Sequence, residues 1–245
     1  NHCRATAVAS RQLGLDPYLI LRTRGEIDNN IHSSLIGNLL FDKMVGAQIK
    51  LVTTEEYSDI GQEKLLDILC KQLENEGRIP YSIPVGGSNI IGVWGYIDAI
   101  EEIRKQQIKS GLIFDHIVFS CGSGGTASGL SLGAKLCGIN SVHGICVCDT
   151  PEIFYDHINE TITELGIDIS NPGTGTGKSI GIGKAEEWLS LYDGSGIGYG
   201  KSTTEELDFI VKVSRKSGIS LDPVYSGKGL YYFLNDVIHR NENKN

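Results

Sequence analysis

The segment Ile117–Gly129, IVFSCGSGGTASG, constrains the fold more than any other part of the chain. A short apolar run gives way to glycines and hydroxyls, then to a stretch rich in alanine and leucine. A strand–turn–helix junction of this kind brings successive backbone N–H groups together, adds the hydroxyls of Ser123 and Thr126, and aims the positive end of a helix at the same point. The result is a cradle for a phosphate. The same glycines would also serve a tight turn with no ligand, and on this segment alone both readings stay open. A dinucleotide fingerprint fits less well, because the spacing is not GxGxxG and the run at 142–147 lacks the expected acidic residue. Glycine is abundant elsewhere too, 31 of 245 residues, about twice the usual share of roughly 7%. With only six prolines, that excess marks places where backbone turns sharply or approaches something closely.

Around this junction, short apolar or β-branched runs alternate with amphipathic stretches, the pattern of βα units on a mostly parallel sheet. Helices are predicted over about 3–14, 33–45, 62–76, 89–109, 126–138, 151–165, 203–217 and 227–239. Strands are predicted over about 17–22, 48–53, 80–84, 115–120 and 142–148. Small-residue turns follow the third and fourth strands, Val85–Asn89 and Cys121–Thr126, and open α/β sheets collect ligands at such carboxyl ends. The organisation expected is a smaller α/β domain over 1–85 and a larger phosphate-binding α/β domain over 86–245, with a glycine-rich insertion at about 166–193.

Three further loops bear on function. Pro172–Ser179, PGTGTGKS, nearly matches the P-loop pattern, but Pro172 replaces the first glycine, offers no N–H, and follows a poor strand. It reads as a surface insertion. Gly194–Gly200, GSGIGYG, and Leu221–Gly229, LDPVYSGKG, each set a tyrosine among small residues. Tyr199 and Tyr225 are candidates for acid–base or carboxylate-binding roles, or else core tyrosines with satisfied hydroxyls.

Charge and cysteine usage exclude other classes. The net charge is −8 with no long basic run, which argues against nucleic-acid binding. None of the six cysteines has CxxC spacing, so free thiols in a reducing compartment are expected rather than a metal site. No apolar run approaches the roughly 20 residues that span a bilayer, so no membrane association is expected. These features predict a soluble, intracellular protein, cytoplasmic unless it resides in an organelle. The sequence opens on Asn1 and enters a helical pattern at once, which points to a fragment or a processed chain.

Taken in order, NHCRATAVASRQLGL at 1–15, GNLLFDKMVGAQIKLV at 37–52, PYSIPVGGSN at 80–89, FSCGSGGTASGL at 119–130, GSGIGYG at 194–200 and LDPVYSGKG at 221–229 resemble one family. It is that of the D-cysteine desulfhydrases and 1-aminocyclopropane-1-carboxylate deaminases. The resemblance implies two open, mostly parallel twisted sheets flanked by helices, the tryptophan synthase β-like fold type II, here incomplete at both ends. It implies pyridoxal 5′-phosphate as cofactor, with the phosphate held by Gly122, Ser123, Gly124, Gly125 and Thr126. Asn1 falls on the asparagine that approaches the ring oxygen and the substrate carboxylate, and the lysine that bonds the cofactor would precede residue 1. Tyr225 and Tyr199 match the substrate-side tyrosines that protonate the leaving group and orient the substrate.

Ser226 falls at the pyridine nitrogen. Members that open the cyclopropane ring carry a carboxylate there, whereas desulfhydrases tend to carry a hydroxyl. A neutral hydroxyl makes the cofactor a weaker electron sink, which suffices to expel thiolate. The activity expected is therefore β-elimination from a D-cysteine-like amino acid, giving pyruvate, ammonia and hydrogen sulfide, by a homodimer. The alternatives are 1-aminocyclopropane-1-carboxylate deamination, or a catalytically incomplete homologue that binds a phosphate ligand.

Overall fold

The computed structural model describes residues 1–23, 37–139, 141–170 and 181–238. The P-loop-like Pro172–Ser179 and part of the helix expected over 33–45 lie outside them. By its packing the chain divides into two units, Asn1–Gly87 and Ser88–Asn245.

In the first unit α1 (His2–Gln12), β1 (Tyr18–Thr23), α2 (Gly37–Met44), β2 (Gln48–Thr53), α3 (Thr54–Ile60) and α4 (Gln62–Asn75) follow one another. The two strands pair in parallel, in register from Tyr18 with Gln48 to Thr23 with Thr53. A capping box starts α3: Glu56 N–H donates to the Thr53 hydroxyl, 3.0 Å, and Thr53 N–H to the Glu56 carboxylate, 2.8 Å. Leu65, Leu69 and Leu73 recur at helical spacing on α4 and are buried, which is why the sequence makes a helix there. Asp16 joins Arg11, 2.7 Å, to Arg78, 2.9 Å, at the surface.

The strand expected at 80–84 does not form. Pro80 and Pro84 lack the N–H that a ladder needs, Ile79 is fully exposed, and the segment runs irregularly into a 3₁₀ turn at Val85–Gly87.

The second unit carries a parallel sheet of three strands in the order β3 (Ile117–Cys121), β4 (Val142–Cys146), β5 (Ser190–Asp193). Before and between them run α5 (Ile90–Ser110), α6 (Gly125–Leu136) and α7 (Pro151–Glu164); α8 (Thr204–Ser217) and α9 (Ser226–Tyr232) follow. The sequence did not predict β5. It lies at the end of the glycine-rich stretch expected as an insertion, and pairs His143 with Ser190 through Cys146 with Asp193. Asn89 caps α5 by accepting from Gly92 N–H, 2.9 Å, and Gly111 closes it with φ 71°. Ile100, Leu132, Val142, Ile158 and Ile162 are the centre of the core, each at most 1% exposed. Truncating one of these isoleucines to alanine would cost about 2–5 kcal/mol.

The fold therefore has parallel sheets flanked by helices. Its glycines decide how closely α6 packs: a Cβ on Gly129 would stand 2.6 Å from the Val93 carbonyl oxygen, and one on Gly133 3.1 Å from Ile100. Together with Gly125, these residues form a stripe that lets α6 lie against α5 and Ser88.

Candidate active site

All three strands of the second sheet end on the same side, and the candidate residues gather in the loops that leave those ends. After Cys121 the chain turns through Gly122–Gly124 into α6, with Gly124 at φ 90° as the residue before the helix. The first N–H groups of a helix have no partner within it. That of Gly125 donates to Ser88 Oγ, 3.0 Å, and Ser88 in turn donates to Ser123 Oγ, 2.7 Å. Ser123 accepts here, so its own proton is left for another acceptor.

The glycines of the loop are fixed by their neighbours. A Cβ on Gly125 would meet Ser88 Oγ at 2.7 Å and Ser88 Cα at 3.1 Å, and a Cβ on Gly122 would meet the Tyr225 ring at 2.8 Å. Gly124 lies against the His157 ring. His157 Nε2 is buried and has no hydrogen-bond partner among the described residues. A concave glycine loop, a helix N-terminus, two hydroxyls and this orphaned nitrogen together suit a bound phosphate monoester.

The tyrosines expected at the site meet each other. The hydroxyls of Tyr199, in the loop after β5, and Tyr225, before α9, share a hydrogen bond of 2.8 Å, with the rings edge-on at 65°. Burial pushes the Tyr225 phenol up, and the bond with Tyr199 adds to that, so Tyr225 holds its proton. Its backbone carbonyl accepts from Ser120 Oγ on β3, 2.9 Å.

Asp222 organises this turn. Its carboxylate accepts from the N–H groups of Val224, 2.9 Å, Tyr225, 2.7 Å, and Ser226, 3.0 Å, and from the Ser226 hydroxyl, 2.8 Å. Burial alone would raise the Asp222 carboxyl, but the bonds from Ser226, Tyr225 and Val224 outweigh it and hold the group below the ordinary value. Ser226 Oγ also accepts from Asp222 N–H, 2.9 Å. With its proton given to Asp222, Ser226 keeps one lone pair for a ligand.

Cys148 lies beside the loop and donates from its thiol to the Gly122 carbonyl, 2.8 Å. Burial, reinforced by Asp149, raises that thiol to about 11, which favours a packing role over a reactive one. Asn1 is the N-cap residue of α1 in the first unit, where its Oδ1 accepts from Asn38 Nδ2, 2.8 Å.

Gly122, Ser123, Gly124, Gly125, Thr126, Tyr199, Tyr225 and Ser226 all lie in the loops and helix starts of the second unit. Sequence reasoning missed Ser88, His157 and Asp222. Asp222 had a signal, since Asp-Pro before a hydroxyl residue is turn chemistry. His157 had none.

Comparison with known proteins identifies the family. The family model for pyridoxal-phosphate dependent enzymes matches residues 1–244. The chain is 43% identical over 240 residues to the bifunctional D-cysteine desulfhydrase/1-aminocyclopropane-1-carboxylate deaminase, mitochondrial, of Arabidopsis thaliana, covering 97% of this chain and 56% of that protein. It is 31% identical to D-cysteine desulfhydrase of Serratia proteamaculans, covering 97% of this chain and 67% of that protein. A crystal structure of a 1-aminocyclopropane-1-carboxylate deaminase homologue superposes with a TM-score of 0.77 at 34% identity, covering 99% of this chain and 67% of that one. The chain thus spans just over half the length of its Arabidopsis relative. Among the described residues no helix is long and apolar enough to cross a membrane. With the family model matched along nearly its whole length, the chain belongs to the pyridoxal-phosphate dependent enzymes, alongside D-cysteine desulfhydrases and 1-aminocyclopropane-1-carboxylate deaminases.

Proposed function

We propose that the second unit holds the cofactor of a lyase that converts a D-cysteine-like amino acid and water to pyruvate, ammonia and hydrogen sulfide. Pyridoxal phosphate, when bound, supplies an electron sink conjugated to the substrate Cα, so that the α-proton can leave and the Cβ–S bond can break. Gly122–Thr126 would hold its phosphate through the Ser123 and Thr126 hydroxyls and the loop N–H groups other than that of Gly125, which Ser88 takes, with the His157 ring against Gly124. Tyr225 keeps its proton until sulfur departs as thiolate, then donates it. Tyr199, hydrogen-bonded to Tyr225, orients that phenol and can share its proton. Asn1 keeps the role that the resemblance implies, at the ring oxygen and the substrate carboxylate.

The observation that carries the choice of reaction is Ser226. Its proton is held by Asp222 and one lone pair is free, so where the resemblance places a carboxylate in ring-opening enzymes it offers an uncharged acceptor. Such an acceptor holds a proton on the ring nitrogen less firmly than a carboxylate would and leaves the weaker electron sink. We place the enzyme in the cytoplasm or an organelle, as a homodimer. The test is to supply the cofactor-loaded protein with D-cysteine, L-cysteine and 1-aminocyclopropane-1-carboxylate in parallel. Sulfide and pyruvate from D-cysteine are expected. Turnover of the cyclopropane substrate alone would replace elimination with ring opening.

A further inference from the structure

Among the described residues Lys228 is the largest of the fully buried side chains, 1% exposed, and the mechanism above does not use it. Its Nζ donates to the backbone carbonyls of Ser195, 2.7 Å, and Gly198, 3.0 Å. These two carbonyls bracket the turn that delivers Tyr199. The chain curls around the amine on left-handed glycines, Gly196 at φ 57°, Gly198 at 113° and Gly200 at 68°. On the same turn, a Cβ at Gly196 would stand 3.5 Å from Lys228 Cε and 3.0 Å from Glu206 Oε1. That oxygen is buried and has no hydrogen-bond partner among the described residues, while the other oxygen of Glu206 caps α8 through Thr203 N–H, 2.8 Å. Lys228 lies on α9 and Tyr225 at the start of the same helix, so one short element both grips the Tyr199 loop and presents the phenol that Tyr199 meets.

We infer that Lys228 is a positioning residue: a built-in cation whose two bonds to Ser195 and Gly198 clamp the glycine loop and hold Tyr199 against Tyr225. Without it each carbonyl keeps one turn bond, from Gly198 N–H to Ser195, 3.0 Å, and from Lys201 N–H to Gly198, 3.2 Å, but their remaining lone pairs converge on one point beside a buried carboxylate with no donor to meet them, which is costly away from water. A glycine loop with several left-handed residues has many conformations open to it, and its own short turn bonds, from Gly198 N–H to Ser195 and from Lys201 N–H to Gly198, tie it only to itself. The clamp ties it to α9.

The inference rests on the proposed reaction only for its catalytic consequence, so the primary readout is structural. Hydrogen–deuterium exchange is measured on the parent and on Lys228→Met, which is one atom shorter, keeps the unbranched apolar stem and loses the donors. Exchange across 195–200 is expected to rise at least tenfold, with β3 and α6 unchanged. A folded Lys228→Met that exchanges like the parent there overturns the clamp.

In Lys228→Ala, methylammonium fits the vacated end of the site and restores protection. Tetramethylammonium at equal ionic strength has no N–H and does not. Equal effects of the two ions would also overturn the inference. Should both variants fail to fold, the parent decides. Acylation of Lys228 is expected at the opening rate of the 195–200 loop, and acylation only at the rate of global unfolding, with a fast-exchanging loop, refutes the clamp. Where the parent releases sulfide, Lys228→Met lowers kcat at least tenfold with a smaller change in KM, and methylammonium recovers it in Lys228→Ala. A parent that releases none overturns the reaction and leaves the exchange result to judge the clamp.

Discussion

Removing the Asp222 carboxylate tests whether one side chain organises the turn that carries Tyr225 and Ser226. Asp222→Ala deletes the acceptor of three backbone N–H groups and one hydroxyl. Hydrogen bonds to a charged group are worth about 1.5–3 kcal/mol each, and loss of a capping side chain costs about 0.5–2 kcal/mol. The bonds share one acceptor and the site is partly exposed, so they do not add in full. A loss of about 3 kcal/mol is expected, large beside a total stability of about 5–15 kcal/mol. Asp222→Asn keeps one oxygen for Val224 and Tyr225 but turns an NH₂ toward the Ser226 N–H, and should lose about half as much.

The assay is urea unfolding at neutral and acidic pH. The Asp222 carboxyl lies below its ordinary value of 3.8 when folded, so its contribution is present above that value and disappears as the pH falls through the folded one. The parent should therefore lose an increment of stability in acid that Asp222→Asn never had. A folded Asp222→Ala within about 0.5 kcal/mol of the parent, the range of an ordinary surface substitution, would refute the account of the turn.

Gly125→Ala drives a Cβ onto Ser88 Oγ and Cα, with an expected cost of about 1–3 kcal/mol in unfolding experiments and loss of phosphate-dependent ligand binding. Tyr225→Phe removes the shared proton and keeps the ring, so sulfide release from D-cysteine should fall by about 10²- to 10⁴-fold while thermal denaturation changes little. Ser226→Glu sets a second carboxylate beside Asp222. Steady-state assays should show depressed elimination from D-cysteine, and unchanged sulfide release would count against the ring-nitrogen argument.

Much of this was written in local chemistry. The Leu65, Leu69, Leu73 stripe announces α4, and an apolar run entering glycine and hydroxyl residues announces the loop before α6. The failures have physical causes. PYSIP at 80–84 alternates like a strand, but its prolines remove ladder donors. SLYD at 190–193 is too short and polar to look like a strand, and becomes one because β4 offers it a parallel edge. Tyr199 and Tyr225 were legible as residues of interest, but their meeting depends on a contact 26 positions apart in sequence. His157 gives no sign in the sequence, because what distinguishes it is a glycine from another element lying on its ring.

The proposed activity depends on Gly122–Thr126 holding the phosphate of the cofactor. Calorimetric titration compares 4-deoxypyridoxine 5′-phosphate, which has no aldehyde to react with surface lysines, with 4-deoxypyridoxine. The phosphate form should bind about 10- to 100-fold more tightly, the equivalent of one or two charge-assisted hydrogen bonds, and Gly125→Ala should abolish the difference. Equal binding of the two compounds, or a difference that survives in Gly125→Ala, would contradict it.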